Sequence, residues 1–239
     1  MNSETLISQD DLFDNPTTRI PVCLCLDISG SMDGAPIEEL NEGILRFYEA
    51  VCADEIASYS AEIAIVVFGS FGSKKVRCVQ PFMTLSENPK PPVLTAEGCT
   101  PIGEGVNMAL DLLEQRKKEY ITAGVDYHQP WLLLMTDGAP IGSDEQEQKR
   151  AQRRVQQLLA QKKLVVFPLG VGKAKQENLQ KYASEDIPPM KLKGLRFREF
   201  FRWLSQSVVQ VSGTMAGEPF RVDISELAEL TEADGDWNF

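Results

Sequence analysis

The stretch PVCLCLDISGSMDG, residues 21–34, joins a continuous apolar run to a polar segment that starts with a carboxylate. A run of this kind is typical of a strand buried on both faces, as in a parallel sheet. An aspartate and two serines then alternate at Asp27, Ser29 and Ser31. In an extended chain alternate side chains point the same way, so these oxygens are expected to face one ligand if the turn stays extended.

The rest of the chain repeats this alternation of strands and helices. EIAIVVFG (62–69), WLLLMT (131–136) and LVVFPLG (164–170) predict three more buried strands, and KKVRCVQPF (74–82) predicts an antiparallel edge strand. Apolar residues recur every three or four positions between them, as in amphipathic helices, the first of which begins near Pro36. The pattern predicts an α/β fold: a doubly wound, mostly parallel central sheet with one antiparallel edge strand and helices on both faces.

Shorter signals predict the remaining elements. The helix that follows residue 100 is expected to end in the charged QRKKE (115–119), MKLK (190–193) is a candidate strand, and FREFFRWLSQSV (197–208) predicts a last helix. We therefore predict a polar N-terminal arm over residues 1–18, one domain over 19–213 and an acidic tail over 214–239.

Composition disfavours several classes of function. The net charge is -11, from 24 Lys+Arg against 35 Asp+Glu, which disfavours binding to nucleic acid or to an anionic membrane. Apolar runs fall far short of the roughly 20 residues of a membrane helix, and the N-terminus lacks the plan of a signal peptide. Five cysteines without CxxC spacing also fit the cytosol, so we expect a cytoplasmic protein.

Three loops are expected at the carboxyl edge of the sheet, where ligands of such folds bind. They are DISGS (27–31), GCTPIGEG (98–105) and TDG (136–138). Their hydroxyl and carboxylate side chains are Asp27, Ser29, Ser31, Thr100 and Asp137. An all-oxygen set suits a hard divalent cation, Mg²⁺ first, with Mn²⁺ or Ca²⁺ as alternatives. Each loop also has an ordinary interpretation, as a helix cap or a turn, and only their convergence favours a metal site.

The motif DISGS, with Thr100 and the pair Asp137-Gly138, resembles the metal-ion-dependent adhesion site of von Willebrand factor A domains. The resemblance implies that the five oxygen-bearing residues given above hold the metal. Longer stretches, among them residues 91–117 and 191–208, resemble the bacterial TerY-type branch of that family, found in tellurium-resistance and stress gene clusters. Ile28 stands where many relatives carry Thr, and Cys99 stands where Gly is common.

The resemblance implies an interaction module and not an enzyme. A partner's acidic side chain would complete the coordination of the metal, and the expected partners are a protein-phosphatase-2C-like enzyme and a serine/threonine kinase. The chain would then be a monomeric adaptor or scaffold in bacterial stress signalling.

A metal-dependent hydrolase or phosphatase that uses the same site is the alternative. It requires a base, and the only histidine is His128, in a loop where we expect a surface residue. A thiol nucleophile formed by Cys99 with His128 is a further alternative, although nothing in the sequence brings the two together.

Two charged regions have open interpretations. The acidic tail has the composition of a solvated, disordered segment, but one of its carboxylates could instead occupy the open position of the metal and block partners. The basic clusters KRAQRR (149–154) and KLKGLRFR (191–198) are expected to be solvated faces, with partner docking as the alternative.

Overall fold

In the computed structural model, a six-stranded sheet with the order β3-β2-β1-β4-β5-β6 forms the centre of the domain. The described residues are 12, 15, 17–71, 74–215 and 223–232. The strands are β1 (Ile20–Asp27), β2 (Ala61–Phe71), β3 (Lys74–Thr84), β4 (Trp131–Thr136), β5 (Val165–Gly170) and β6 (Met190–Lys191). Neighbouring strands are parallel except β2 and β3, which are antiparallel. The predicted fold class is confirmed.

Helices cover both faces of the sheet. They are α1 (Ala35–Cys52), α2 (Glu55–Ser60), α3 (Ile102–Ala123), α4 (Glu145–Ala160), α5 (Gln176–Gln180) and α6 (Phe197–Ser212). Val22, Leu24 and Leu26 of β1 belong to the apolar cluster that contains α1, α2 and α6. Cys23 and Cys25 belong to the cluster on the opposite face, with α3, α4 and α5. Strand β1 is therefore buried on both faces, as the apolar run predicts.

Close packing between α1 and α6 fixes the helix that follows the first polar loop. A Cβ atom at Gly43 would lie 2.7 Å from the ring of Phe201, so only glycine allows this approach. The rings of Phe47 and Phe201 lie 5.9 Å apart between centroids. Because α1 begins at Ala35, this packing also fixes the end of the loop that carries Ser29 and Ser31.

Some elements differ from the predictions. Helix α3 continues past residues 115–119 to Ala123, and Gly124 ends it with a φ of 68° in the left-handed region. The short helix α2 was not predicted, although Asp54 caps it by accepting a hydrogen bond from the backbone N–H of Ala57. It has too few turns to show a helical period. Strand β6 forms over two residues only, Met190 and Lys191.

The amino edge of the sheet carries His128, which is buried with 6% of its surface exposed. The prediction that it is a surface residue is therefore wrong. Its backbone N–H donates to the carbonyl of Arg19, just before β1. Strand β1 is 8 residues long, which places His128 roughly 20 Å or more from the carboxyl edge. Cys99 lies at that other edge, beside Gly142, so the two residues cannot act as a pair.

The chain ends are described only in part. In the arm, Leu12 is buried and the side-chain amide of Asn15 donates to the carbonyl of Tyr59; residues 1–11, 13, 14 and 16 lie outside the described part. In the tail, residues 223–232 pack on the domain, so the expectation of a solvated segment is wrong for them, whereas 216–222 and 233–239 lie outside. Within the described residues, no helix has the length and apolarity required to cross a bilayer.

Candidate metal centre

The first loop of the centre starts at Asp27, the last residue of β1. The carboxylate of Asp27 is buried, and its Oδ1 accepts a hydrogen bond from the backbone N–H of Ser29 at 2.8 Å. The chain then forms a 3-10 turn over Gly30–Met32, so the condition of an extended chain, on which the expected position of Ser31 depended, is not met. The turn nevertheless keeps the hydroxyls of Ser29 and Ser31 close together.

Hydroxyl groups connect this loop to the loop after β4. The Oγ atoms of Ser29 and Ser31 lie 3.2 Å apart, and the Ser31 hydroxyl donates to Oδ1 of Asp137 at 2.8 Å. Strands β1 and β4 are parallel neighbours, so their carboxyl ends meet at the same edge. Side chains separated by more than a hundred residues in sequence are therefore in direct contact.

Backbone hydrogen bonds place Thr100 beside both loops. The backbone N–H of Thr100 donates to the carbonyl of Ile141 at 2.9 Å, in the segment that follows Asp137. The backbone N–H of Gly30 donates to the carbonyl of Gly98 at 3.0 Å, just before Thr100. Thr100 itself is 4% exposed. The structure thus brings all five predicted residues to one edge: the backbone N–H of Ser29 binds Asp27, side-chain hydroxyls connect Ser29, Ser31 and Asp137, and main-chain bonds place Thr100.

Helix capping does not explain the hydroxyls. Ser29 precedes the 3-10 turn but forms no side-chain cap hydrogen bond. Helix α1 has Gly34 at its N-cap position and α3 has Pro101, so neither a serine nor Thr100 caps a helix. The hydroxyls of these loops therefore do not cap helices, contrary to their ordinary interpretation.

Thr136 is a member of the centre that the sequence analysis missed. Its hydroxyl donates to Oδ2 of Asp27 at 2.6 Å, and it is fully buried at the end of β4. The register pairs Leu26 with Met135, so the next residue on each strand, Asp27 and Thr136, also lie side by side. The signal was present: a threonine directly before Asp137 ends a strand expected to pair with β1.

We expect Thr136→Val to disturb this centre without a large change of shape. Valine keeps the size of threonine but leaves Oδ2 of Asp27 without its donor, which should cost about 1–3 kcal/mol of stability. Metal affinity should fall about 10–100-fold, as for other groups that orient a ligand. Thermal unfolding and titration calorimetry with Mg²⁺ measure the two effects. Thr122→Val, on the exposed face of α3, is the control and should change neither.

The electrostatics of the centre favour a cation. Burial raises the pKa of the Asp27 carboxyl to about 6, against hydrogen bonds from Ser29 and Thr136 that lower it. Burial also raises the pKa of Asp137, although the hydrogen bond from Ser31 and the charge of Lys173 act in the opposite direction. Two carboxylates are thus desolvated at one place, and a bound cation would stabilise their charged forms. The donor set therefore fits a divalent metal.

Metal binding is expected to depend on pH through Asp27. Its pKa is raised in the folded, metal-free protein, so the proton stabilises the fold at low pH and this contribution is lost as the pH rises through about 6. A cation needs the deprotonated carboxylate, so affinity for Mg²⁺ should fall by up to about tenfold per pH unit below that pKa and level off above it. Calorimetric titrations from about pH 5 to about pH 8 test this; a flat profile would contradict it.

Oxygen chemistry restricts the kind of metal. In the part of the chain that the structure describes, no three residues of the types His, Cys, Asp and Glu form a metal-binding group. A cation at this edge would thus rely on hydroxyl oxygens beside the two aspartates, as suits Mg²⁺ or Mn²⁺ more than a soft metal. Glu104 of α3 connects this helix to the segment before α4 by accepting hydrogen bonds from Ser143 Oγ and from the backbone N–H of Asp144.

No protein-family model and no curated protein matches this sequence. Solved structures do match. A von Willebrand factor type A structure from Catenulispora acidiphila aligns over 81% of this chain with 18% identity and a TM-score of 0.58. The pilus adhesin SpaC from Lactobacillus rhamnosus GG aligns over 82% with 12% identity and a TM-score of 0.63. Proximal thread matrix protein 1 from the mussel byssus, with zinc in its metal-ion-dependent adhesion site (MIDAS) motif, aligns over 80% with 15% identity and a TM-score of 0.55.

The alignment covers less than half of each of these proteins: 43%, 31% and 48% of their chains, respectively. At sequence identities this low, the structural alignments show a shared architecture and nothing about activity. The agreement in architecture is nevertheless consistent, because four-fifths of this chain aligns in all three cases. The chain thus has the fold of von Willebrand factor type A domains.

Proposed function

We propose that this chain is a metal-dependent protein-interaction module. A divalent cation, Mg²⁺ or else Mn²⁺ or Ca²⁺, would be held by Asp27, Ser29, Ser31, Thr100 and Asp137, and a carboxylate of a protein partner would complete its coordination. The observation that carries the proposal is the set of hydrogen bonds that joins Asp27 to the backbone N–H of Ser29 and the hydroxyls of Ser29 and Ser31 to Asp137. The zinc-occupied MIDAS motif in a protein of the same fold supports it.

The balance of ligands explains why a partner would bind. Three of the five ligands are neutral hydroxyls, so a cation held here keeps part of its charge. The protein side of the centre is closed, because Asp27 is fully buried, whereas Ser31 is exposed to solvent. A ligand that arrives from solvent would therefore meet the cation on the Ser31 side. An acidic side chain supplies both the charge and the oxygen that are missing.

The hydrolase alternative has less support. The single histidine of the chain, His128, lies at the amino edge of the sheet, on the far side from Asp27. A hydrolytic reaction would need another base within hydrogen-bond reach of the attacking water. The interaction module is therefore the function that we propose.

A finer role rests on the resemblance to TerY-type proteins alone. It would make the chain a cytoplasmic, monomeric adaptor in bacterial stress or tellurium-resistance signalling. Its partners would be a protein-phosphatase-2C-like enzyme and a serine/threonine kinase. Ser31 is exposed, which is compatible with a protein partner that approaches from solvent.

Binding of the purified phosphatase-like and kinase partners to the immobilised chain tests the proposal. Binding in Mg²⁺ should be lost in EDTA and should return when Mg²⁺ is added back. Ser31→Ala should abolish it, whereas Ser86→Ala, at the opposite edge of the sheet beside Thr84, should not. Binding that survives both EDTA and Ser31→Ala would refute the metal-dependent mechanism. Mg²⁺ binding without any partner binding would leave a metal site and remove the adaptor role.

A further inference from the structure

The described part of the tail has a period of three residues. Residues 224–232 read ISELAELTE, three triplets that each begin with an aliphatic residue and end with glutamate. The structure forms a 3-10 helix over Ser225–Glu229, and such a helix has three residues per turn. The aliphatic residues Ile224, Leu227 and Leu230 therefore share one face, whereas Glu226 and Glu229 are exposed. We call residues 223–232 the terminal segment.

The aliphatic face of the terminal segment packs into the domain. Leu227 is 1% exposed, Leu230 is 9% exposed, and both belong to the core cluster that contains Leu192 and Trp203. The indole N–H of Trp203 donates to the carbonyl of Asp223 at 3.0 Å, at the beginning of the segment. The segment therefore has apolar anchors at regular intervals and a polar contact at its start.

Main-chain hydrogen bonds extend the sheet at the same place. The backbone N–H of Lys193 donates to the carbonyl of Leu230, and the backbone N–H of Glu232 donates to the carbonyl of Lys191. Leu192 and Thr231 form an antiparallel bridge between these two bonds. The terminal segment thus covers the outer edge of β6, in the manner of a peptide added to a sheet edge.

One ion pair joins the terminal segment to the basic cluster 191–198, which we predicted to be a solvated face. Lys191 is 3% exposed, and its Nζ lies 3.0 Å from a carboxylate oxygen of Glu232. Lys193 Nζ and Arg196 Nη1 both donate to the carbonyl of Glu229. The prediction is wrong at Lys191, which is buried against the terminal segment, whereas Lys193 is exposed and Arg196 is partly exposed. We call the surface formed by Lys191–Lys193, Arg196 and Trp203 the β6–α6 groove.

We propose that the β6–α6 groove is a peptide-binding site for an acidic segment with an aliphatic residue at every third position. The terminal segment is its resident ligand, held in cis and able to bind in trans. All contacts of the segment described above are made by ten consecutive residues, and they combine a sheet-edge hydrogen-bond pattern, aliphatic anchors and opposite charges. Short linear ligands are recognised by this combination. A partner segment of the same chemistry would have to displace the terminal segment.

The test uses the full chain and a fluorescent peptide with the sequence of residues 223–232, DISELAELTE. A double variant, Leu227→Asp with Leu230→Asp, removes the anchors of the cis ligand and opens the groove. Fluorescence anisotropy should show at least about tenfold tighter binding of the peptide to this variant than to the unaltered chain, where the cis ligand competes. A peptide with both leucines replaced by aspartate should bind neither chain.

Charge reversal makes the test specific. Adding Lys191→Glu to the double variant should weaken peptide binding at least about tenfold, and a peptide with Glu232→Lys should restore it. EDTA should have no effect, which separates this site from the metal centre. Equal binding to the double variant and the unaltered chain, or failure of the Glu232→Lys peptide to rescue, would overturn the proposal. Loss of cooperative unfolding in the double variant would also overturn it, because the segment would then be an integral part of the core.

Discussion

Replacing Asp27 by asparagine is expected to weaken Mg²⁺ binding at least about a hundredfold, beyond the usual effect of losing a residue that merely orients a ligand. Asp27 supplies one of the two carboxylates of the centre, and its neighbour Asp137 cannot move to replace it, because the Ser31 hydroxyl holds it. The amide keeps the size of the side chain and its Oδ1 still accepts the hydrogen bond from Ser29, but its NH2 group takes the place of Oδ2 and cannot accept from Thr136. The substitution therefore removes charge from the centre together with one hydrogen bond.

The fold should survive this substitution. Burial raises the pKa of Asp27 to about 6, so the carboxylate is charged at neutral pH at a cost in stability to the metal-free protein. A neutral asparagine avoids that cost but loses the hydrogen bond from Thr136, so the two effects oppose each other and the metal-free variant should be about as stable as the unaltered chain. Added Mg²⁺ should raise the Tm of the unaltered chain and leave that of Asp27→Asn unchanged. Weaker Mg²⁺ binding without a loss of stability indicates a lost ligand, whereas a damaged fold would lower both.

Asp33→Asn is the matched control, since Asp33 is an exposed aspartate directly after the same 3-10 turn. It makes the same chemical change within the same loop and should alter Mg²⁺ affinity by less than about threefold, as expected for exposed charges in water. Calorimetric titration measures both variants. Retention of affinity within about threefold in Asp27→Asn would show that the cation, if bound, is held elsewhere.

Sequence patterns predicted the architecture well because burial leaves a direct trace in composition. The buried strands appear as apolar runs, and the order of strands and helices fixes where their carboxyl ends meet. The convergence of Asp27 with Asp137 follows from that alone. Thr136 was missed because threonine is common in strands, and only the register of β1 with β4 reveals that its hydroxyl reaches Asp27.

Other features depend on geometry that composition does not encode. Ser31 reaches Asp137 through a 3-10 turn, whereas alternation in an extended chain was the basis of the prediction. The terminal segment looked solvated because its charge was counted over the whole tail. Its period of three matches neither the 3.6 of an α-helix nor the 2 of a strand, which are the periods that sequence analysis searches for.

A buried ionic cluster at the amino edge shows what holds the domain together apart from the centre. The carboxylate of Glu62, at the start of β2, is fully buried. It accepts hydrogen bonds from Arg116 Nε at 2.6 Å, Arg116 Nη2 at 2.8 Å and Tyr120 Oη at 2.5 Å. Arg19 Nε lies 3.5 Å from the same carboxylate. Helix α3 carries Arg116 and Tyr120 and begins at Ile102, two residues after Thr100, so one helix connects the ionic cluster to the metal centre.

Glu62→Leu is expected to destabilise the domain by about 3–5 kcal/mol, because it leaves the buried guanidinium of Arg116 with the partly exposed Glu119 as its remaining carboxylate partner. Glu119→Leu is the control: Glu119 also accepts from Arg116, but it is partly exposed, and its loss should cost at most about 1 kcal/mol. Chemical denaturation measures both. Because Glu62 lies at the other end of the sheet from Asp27, Mg²⁺ affinity of the folded fraction should stay unchanged in both variants. Adding Arg116→Met to Glu62→Leu should recover part of the loss, and equal costs for Glu62→Leu and Glu119→Leu would mean that the buried charge pair contributes no more than an exposed one.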